Sequence, residues 1–172
     1  MIGMFIIIED KPAEQQAAYE AVKRSLGEVV EAHESWGSHA GFAWTMALKR
    51  VDGSGGTLVW IASNLRMLET VMSPALRFLE SGAVSKINVL TDLMFPMQEG
   101  GKEEPNGLLI IAKCIEKGLP VVVCSDTDHH DVKWLCPVFP LLGKAHPAGQ
   151  IPVILDKKDW DKAVALLAET FA

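Results

Sequence analysis

Four stretches of this chain, Phe5-Ile6-Ile7-Ile8, Leu58-Val59-Trp60-Ile61-Ala62, Pro120-Val121-Val122-Val123-Cys124 and Ile151-Pro152-Val153-Ile154-Leu155, are apolar without a break, and Ile87-Asn88-Val89-Leu90 is nearly so. A strand with one wet face alternates apolar and polar residues. Continuous runs of this length fit strands covered on both faces, which is the situation of a parallel sheet between two layers of helix. The residues just past the runs matter as much: Glu9-Asp10 after the first, Asp92 after the stretch from Ile87, Ser125 after Cys124 and Asp156-Lys157-Lys158 after the last. The C-terminal tips of parallel strands share one edge of the sheet, where open α/β sheets place their sites.

The segments between the runs read as helices and turns. Lys11-Pro12 opens a helix with Asp10 able to cap it, Ala18, Ala21, Val22 and Leu26 mark its buried stripe, and Gly27 ends it. Val29-Val30-Glu31-Ala32 reads as a second short strand. Ser38 to Arg50 is expected to be helical, with Phe42 to Leu48 as a strand the alternative. Asp52-Gly53-Ser54-Gly55-Gly56 is a turn. Asn64 to Glu80 is an amphipathic helix that Pro74 is expected to kink. Asn106 is expected to cap a helix running through Lys117, with Gly118 as its terminator. Val132 to Leu142 carries Pro137 and Pro140, so a helix there is expected to be irregular, and Trp160, Ala163, Val164, Leu167 and Phe171 mark a terminal helix.

With 172 residues, 49% of them hydrophobic, the chain can bury a core, and one domain spanning 1–172 is expected. The net charge of −6, without any Lys/Arg cluster, argues against nucleic-acid binding. Cys114, Cys124 and Cys136 form no CxxC pair and read as free thiols in a reducing compartment. Met4 to Ile8 is too short for a signal segment or a span, so neither export nor a membrane is expected, and the location expected is the cytoplasm.

Strand position therefore selects Glu9, Asp10, Asp92, Ser125 and Lys157 or Lys158 as one convergent group. Three carboxylates held together repel unless a cation compensates them, and an all-oxygen cluster favours Mg²⁺. A carboxylate beside such a cation can act as a nucleophile toward phosphorus, while a hydroxyl and an ammonium hold the other phosphoryl oxygens.

The ordered set Phe5-Ile6-Ile7-Ile8-Glu9-Asp10, Leu26 to Ala32, Asp92-Leu93-Met94-Phe95-Pro96, Asn106-Gly107-Leu108-Leu109 and Leu119 to Ser125 resembles the receiver domain of two-component response regulators, the CheY-like family. The resemblance covers roughly two thirds of the chain. It implies a doubly wound, mostly parallel five-stranded sheet of flavodoxin-like order 2-1-3-4-5, with 35–82 as an inserted region adding a strand and helix or forming a lobe. It implies Asp92 as phosphoacceptor, and Glu9, Asp10, Asp92 and the Met94 backbone carbonyl as ligands of Mg²⁺. Ser125 and Lys157 would contact the phosphoryl group, spacing to the last helix favouring Lys157 over Lys158. The implied phosphodonor is a histidine kinase or phosphotransfer protein, with a further protein partner downstream and a homodimer left open. No enzymatic activity beyond autophosphatase is implied.

The sequence departs from that family in having no aromatic residue between Ile151 and Leu155, no Lys-Pro after the last strand, and an expanded segment from Met97 to Pro105. Two other readings stand beside a stand-alone phosphoacceptor: a non-phosphorylated interaction module on the same fold, and a Mg²⁺-dependent phosphohydrolase. No second aspartate follows Asp92 at the two-residue spacing of a common phosphatase motif. Asp126, Asp128, His129, His130 and Asp131 read as a loop rather than a metal site, because adjacent histidines point apart and match no zinc spacing. Trp36, Trp44 and Trp60 are expected in the core or a lid.

Overall fold

The computed structural model describes residues 2–32, 44–126, 135–155 and 157–171. The expectations for Trp36, for 38–43, for Asp128 to Asp131 and for Asp156 fall outside them. The elements are β1 (Ile2–Ile8), α1 (Pro12–Ser25), β2 (Val29–Ala32), β3 (Trp44–Arg50), β4 (Gly56–Ala62), α2 (Leu65–Glu80), β5 (Lys86–Thr91), β6 (Phe95–Pro96), β7 (Glu103–Glu104), α3 (Gly107–Lys117), β8 (Val121–Cys124), α4 (Val138–Ala145), β9 (Val153–Ile154) and α5 (Trp160–Thr170). They form a mixed α/β fold around a seven-stranded sheet of order β2-β3-β4-β1-β5-β8-β9, with β6 and β7 a separate two-stranded ribbon.

Five neighbouring strands, β4, β1, β5, β8 and β9, run parallel, and they are the apolar runs of the sequence. Because β1 is the middle strand of the seven, its residues divide between two cores. Met4, Ile6 and Ile8 pack with Leu68, Val71 and Met72 of α2, with Ile110 and Ile111 of α3, and with Phe139 of α4. Phe5 and Ile7 pack on the other face with Ala18 and Val22 of α1 and Trp160, Val164 and Leu167 of α5. Helices thus cover both faces, which is why β1 needs no polar position. Fully burying one such aliphatic side chain stabilises by about 1.5–3 kcal/mol, so β1 is a major contributor to the fold.

The strand count and order differ from the expectation. Val29–Ala32 does not lie beside β1; it pairs antiparallel with β3 at the sheet's outer end, and the place beside β1 belongs to β4. Trp44–Arg50 is a strand rather than part of a helix, antiparallel to both neighbours. The Gly-rich turn explains this: Arg50 N donates to Gly55 O at 3.0 Å and Gly53 takes a φ of 72°, folding β3 back onto β4 as a hairpin. Once that pairing exists, Met46, Ala47 and Leu48 are buried by neighbours no helical period could supply. The described part of 35–82 is thus built into the sheet and its helical cover.

Helix ends also depart from expectation in two places. Lys11, not Asp10, is the N-cap residue of α1, with Pro12 at the first helical position. Asn106 precedes α3 without capping it by its side chain. Pro74 lies within α2, which continues from Leu65 to Glu80. Gly118 closes α3 in the left-handed conformation, φ 63°, as anticipated from its position after Lys117. Trp60 is in the core, its ring meeting that of Phe78 edge-on at 5.9 Å. Cys114 and Cys124 are buried free thiols, whereas Cys136 is exposed. Among the described residues no helix is long and apolar enough to cross a membrane.

Candidate functional site

Glu9, Asp92 and Ser125 each stand one residue past a parallel strand, and the ladder carries them together. Glu9 N donates to Ala62 O at 3.0 Å, Asp92 N to Ile8 O at 2.8 Å and Ser125 N to Ile154 O at 2.9 Å, so the pairing of β4, β1, β5, β8 and β9 continues into the site. All three residues are buried. Backbone pairing rather than loop packing sets their positions.

Asp92 is the most heavily bonded group. Its Oδ1 accepts from Leu93 N at 2.6 Å, Met94 N at 3.3 Å and Ser125 Oγ at 2.6 Å. Its Oδ2 accepts from Lys158 Nζ at 2.7 Å. The same ammonium also donates to Glu9 Oε2, while Glu9 Oε1 accepts from Lys11 N at 3.0 Å. Carboxylate oxygens of Glu9, Asp10 and Asp92 lie within 4.8 Å of one another.

The lysine at the site is Lys158, not the Lys157 that spacing to the last helix favours. Lys158's side chain is only 7% exposed, whereas Lys157 is exposed. Asp159 caps α5 by accepting from Lys162 N at 2.9 Å, and Trp160 is buried against the sheet. With those two residues fixed, the position just before the cap is the one turned inward.

One ammonium between two buried carboxylates leaves an excess negative charge. Burial first, and the Asp92 charge second, push the Glu9 carboxyl well above the ordinary carboxylate range, with Lys158 pulling against both. Burial works against a charged Lys158, but Asp92 and Glu9 together outweigh it and hold the ammonium above its ordinary value. Asp10 Oδ1 is a buried atom with no hydrogen-bond partner among the described residues. Such an orphan next to two further carboxylates is what a hard divalent cation would satisfy, so Glu9, Asp10 and Asp92 fit a Mg²⁺ ion. Met94 is buried with its N–H on Asp92.

A polar cleft of about 660 Å³ opens beside Asp10, with Gln15, Ser63, Asn64, Glu99 and Glu103 also on its walls. One wall is the β6–β7 ribbon, in which the expanded segment after Pro96 folds back so that Phe95 pairs with Glu104 and Pro96 with Glu103. The ribbon is stapled at its base, because Asn106 Nδ2 donates to Phe95 O at 2.7 Å. Next to it, Gly107 N donates to Leu93 O at 3.0 Å, and a Cβ on Gly107 would lie 2.6 Å from Asp92 O. Glycine is required there by close approach. Gln15 and Asn106 were not singled out from the sequence as site residues. Gln15 sits three residues before Ala18 and seven before Val22, so its place on the buried stripe of α1 was a usable signal.

No protein-family model matches the chain, and no curated protein sequence matches it. Among solved structures, a futalosine hydrolase mutant of Helicobacter pylori strain 26695 is similar at 11% identity, with 99% of this chain and 97% of that chain covered and a TM-score of 0.36. The native futalosine hydrolase of the same strain is similar at 10% identity, with 98% and 92% covered and a TM-score of 0.30. At these scores the likeness bears on neither activity nor substrate.

Proposed function

We propose that this chain is a receiver-like phosphoacceptor, built on the doubly wound order 2-1-3-4-5 with β4, β1, β5, β8 and β9 in those places and the β2–β3 hairpin appended. Asp92 takes a phosphoryl group from a histidine kinase or phosphotransfer protein, and the phosphoryl state changes partner binding. The observation that carries this reading is the bonding of Asp92: Ser125 and two backbone N–H groups on one oxygen, Lys158 on the other, and two more carboxylates within 4.8 Å.

Oδ1 is pinned by three donors and Oδ2 by one, so Oδ2 is the oxygen available to attack phosphorus as Lys158 shifts onto the incoming phosphoryl group. The bond from phosphorus to the donor's imidazole nitrogen breaks as the bond to Oδ2 forms, and the imidazole leaves with the electron pair. Ser125 and Lys158 supply hydrogen bonds to the phosphoryl oxygens. Mg²⁺, held by Glu9, Asp10 and Asp92 with the Met94 carbonyl, would offset the charge of the transferred group.

Intact mass after incubation with acetyl phosphate and Mg²⁺ tests the proposal. A Mg²⁺-dependent gain of one phosphoryl group, absent from Asp92→Ala, is the expected outcome; no gain in the wild type defeats it. A second reading, the non-phosphorylated interaction module, is favoured by one observation: Lys158 contacts Glu9 and Asp92 together, so the chain carries its own compensating cation in the carboxylate cluster. Indifference to Mg²⁺ in calorimetry, together with no mass gain, would select it.

A further inference from the structure

Gln15 is a buried polar side chain on α1, and its Nε2 donates to the backbone carbonyl of Glu9 at 2.6 Å. That carbonyl belongs to the peptide joining Glu9 to Asp10, so the bond fixes the plane from which the Asp10 side chain departs. Three other contacts tie down Glu9: its N–H on Ala62, its Oε1 on Lys11 and its Oε2 on Lys158. Asp10, by contrast, keeps a buried oxygen without a partner among the described residues and lines the cleft together with Gln15. Asp10 is therefore aimed by its backbone rather than by bonds to that oxygen, and Gln15 holds that backbone from the helix side.

We propose that Gln15 is a positioning residue for the divalent cation site: it holds the Glu9–Asp10 peptide so that the Asp10 carboxylate converges on Glu9 and Asp92. The inference rests on the phosphoacceptor reading in one respect, that the three carboxylates take up Mg²⁺. A purely structural role is the competing explanation, since losing a buried hydrogen bond lowers stability wherever it lies. The two separate by measuring affinity in a protein that stays folded.

The test is Mg²⁺ binding to the full chain by titration calorimetry, at a temperature where circular dichroism shows every variant folded. Gln15→Met keeps volume and helix propensity but removes the donor, and Gln15→Ala removes it in a smaller side chain. Val22→Ala, on the same buried stripe and in the core cluster with Phe5 and Ile7, lowers the unfolding midpoint by a core cavity and serves as the stability control. The expected result is a loss of Mg²⁺ affinity of about tenfold in both Gln15 variants, the worth of one buried hydrogen bond, against less than about twofold in Val22→Ala. Wild-type affinity in Gln15→Met and Gln15→Ala, or an equal loss in Val22→Ala, overturns the positioning role and leaves the phosphoacceptor reading intact. Absence of Mg²⁺ binding in the wild type overturns the cation site itself, and this role with it.

Discussion

Lys158 is the residue on which the site's electrostatics turn. Its ammonium is shared between Glu9 and Asp92, both buried, so truncation leaves Asp92 without its cation and Glu9 without its hydrogen-bond donor. Removing one partner of a buried ion pair costs about 3–5 kcal/mol. Lys158→Met is therefore expected to lower stability by that amount in urea unfolding at neutral pH, while Lys157→Met, at an exposed position, stays within about 0.5 kcal/mol of the wild type. Equal effects of the two substitutions would show that the ammonium at the site is not Lys158. The sequence placed a lysine at this rim because two follow the last strand. It did not say which, since the answer depends on where α5 begins and which way Trp160 packs.

At the scale of elements, the β6–β7 ribbon is the feature that sets this site apart from a plain strand-tip cluster. Two residue pairs close it, and Asn106 pins its base through Phe95 O. Asn106→Asp keeps the shape but removes the donor when ionised, and should lower stability by about 1–3 kcal/mol. Amide exchange at Glu103 and Glu104 should quicken more than exchange in β1; a uniform change along the chain would contradict the staple. The helix-start signal at Asn106 holds for position, as α3 begins at Gly107, and fails for chemistry, because the side chain bonds to the preceding loop instead. A residue that can cap can equally staple, and only the nearby Phe95 carbonyl decides between them.

For the molecule as a whole, the excess carboxylate at the centre makes stability fall as pH rises. The Glu9 carboxyl is raised from an ordinary 4.5 to about 8, so the folded chain holds a proton that the unfolded chain has released between those values. The associated stability is full below about 4.5 and is lost as pH rises through about 8. Urea midpoints measured in metal-free buffer from about pH 5 to about pH 8.5 should decline, and Glu9→Gln, which cannot titrate, should flatten the decline; an unchanged slope in that variant would assign the titration elsewhere. Unbroken apolar runs were enough to determine the parallel core of the sheet, because a strand without polar positions must be covered on both faces, and each strand tip then places its next residue at one rim. That argument located Glu9, Asp10, Asp92 and Ser125 without any knowledge of strand order. Tertiary structure alone decided that β3 is a strand, that β4 rather than Val29–Ala32 lies beside β1, that Lys158 reaches the carboxylates and that Gln15 holds the peptide between two of them. Each of those outcomes depends on a partner outside the segment itself, such as the β4 edge for β3 or the Glu9–Asp92 pair for Lys158, and the energy of meeting that partner exceeds the weak local preference a single segment carries.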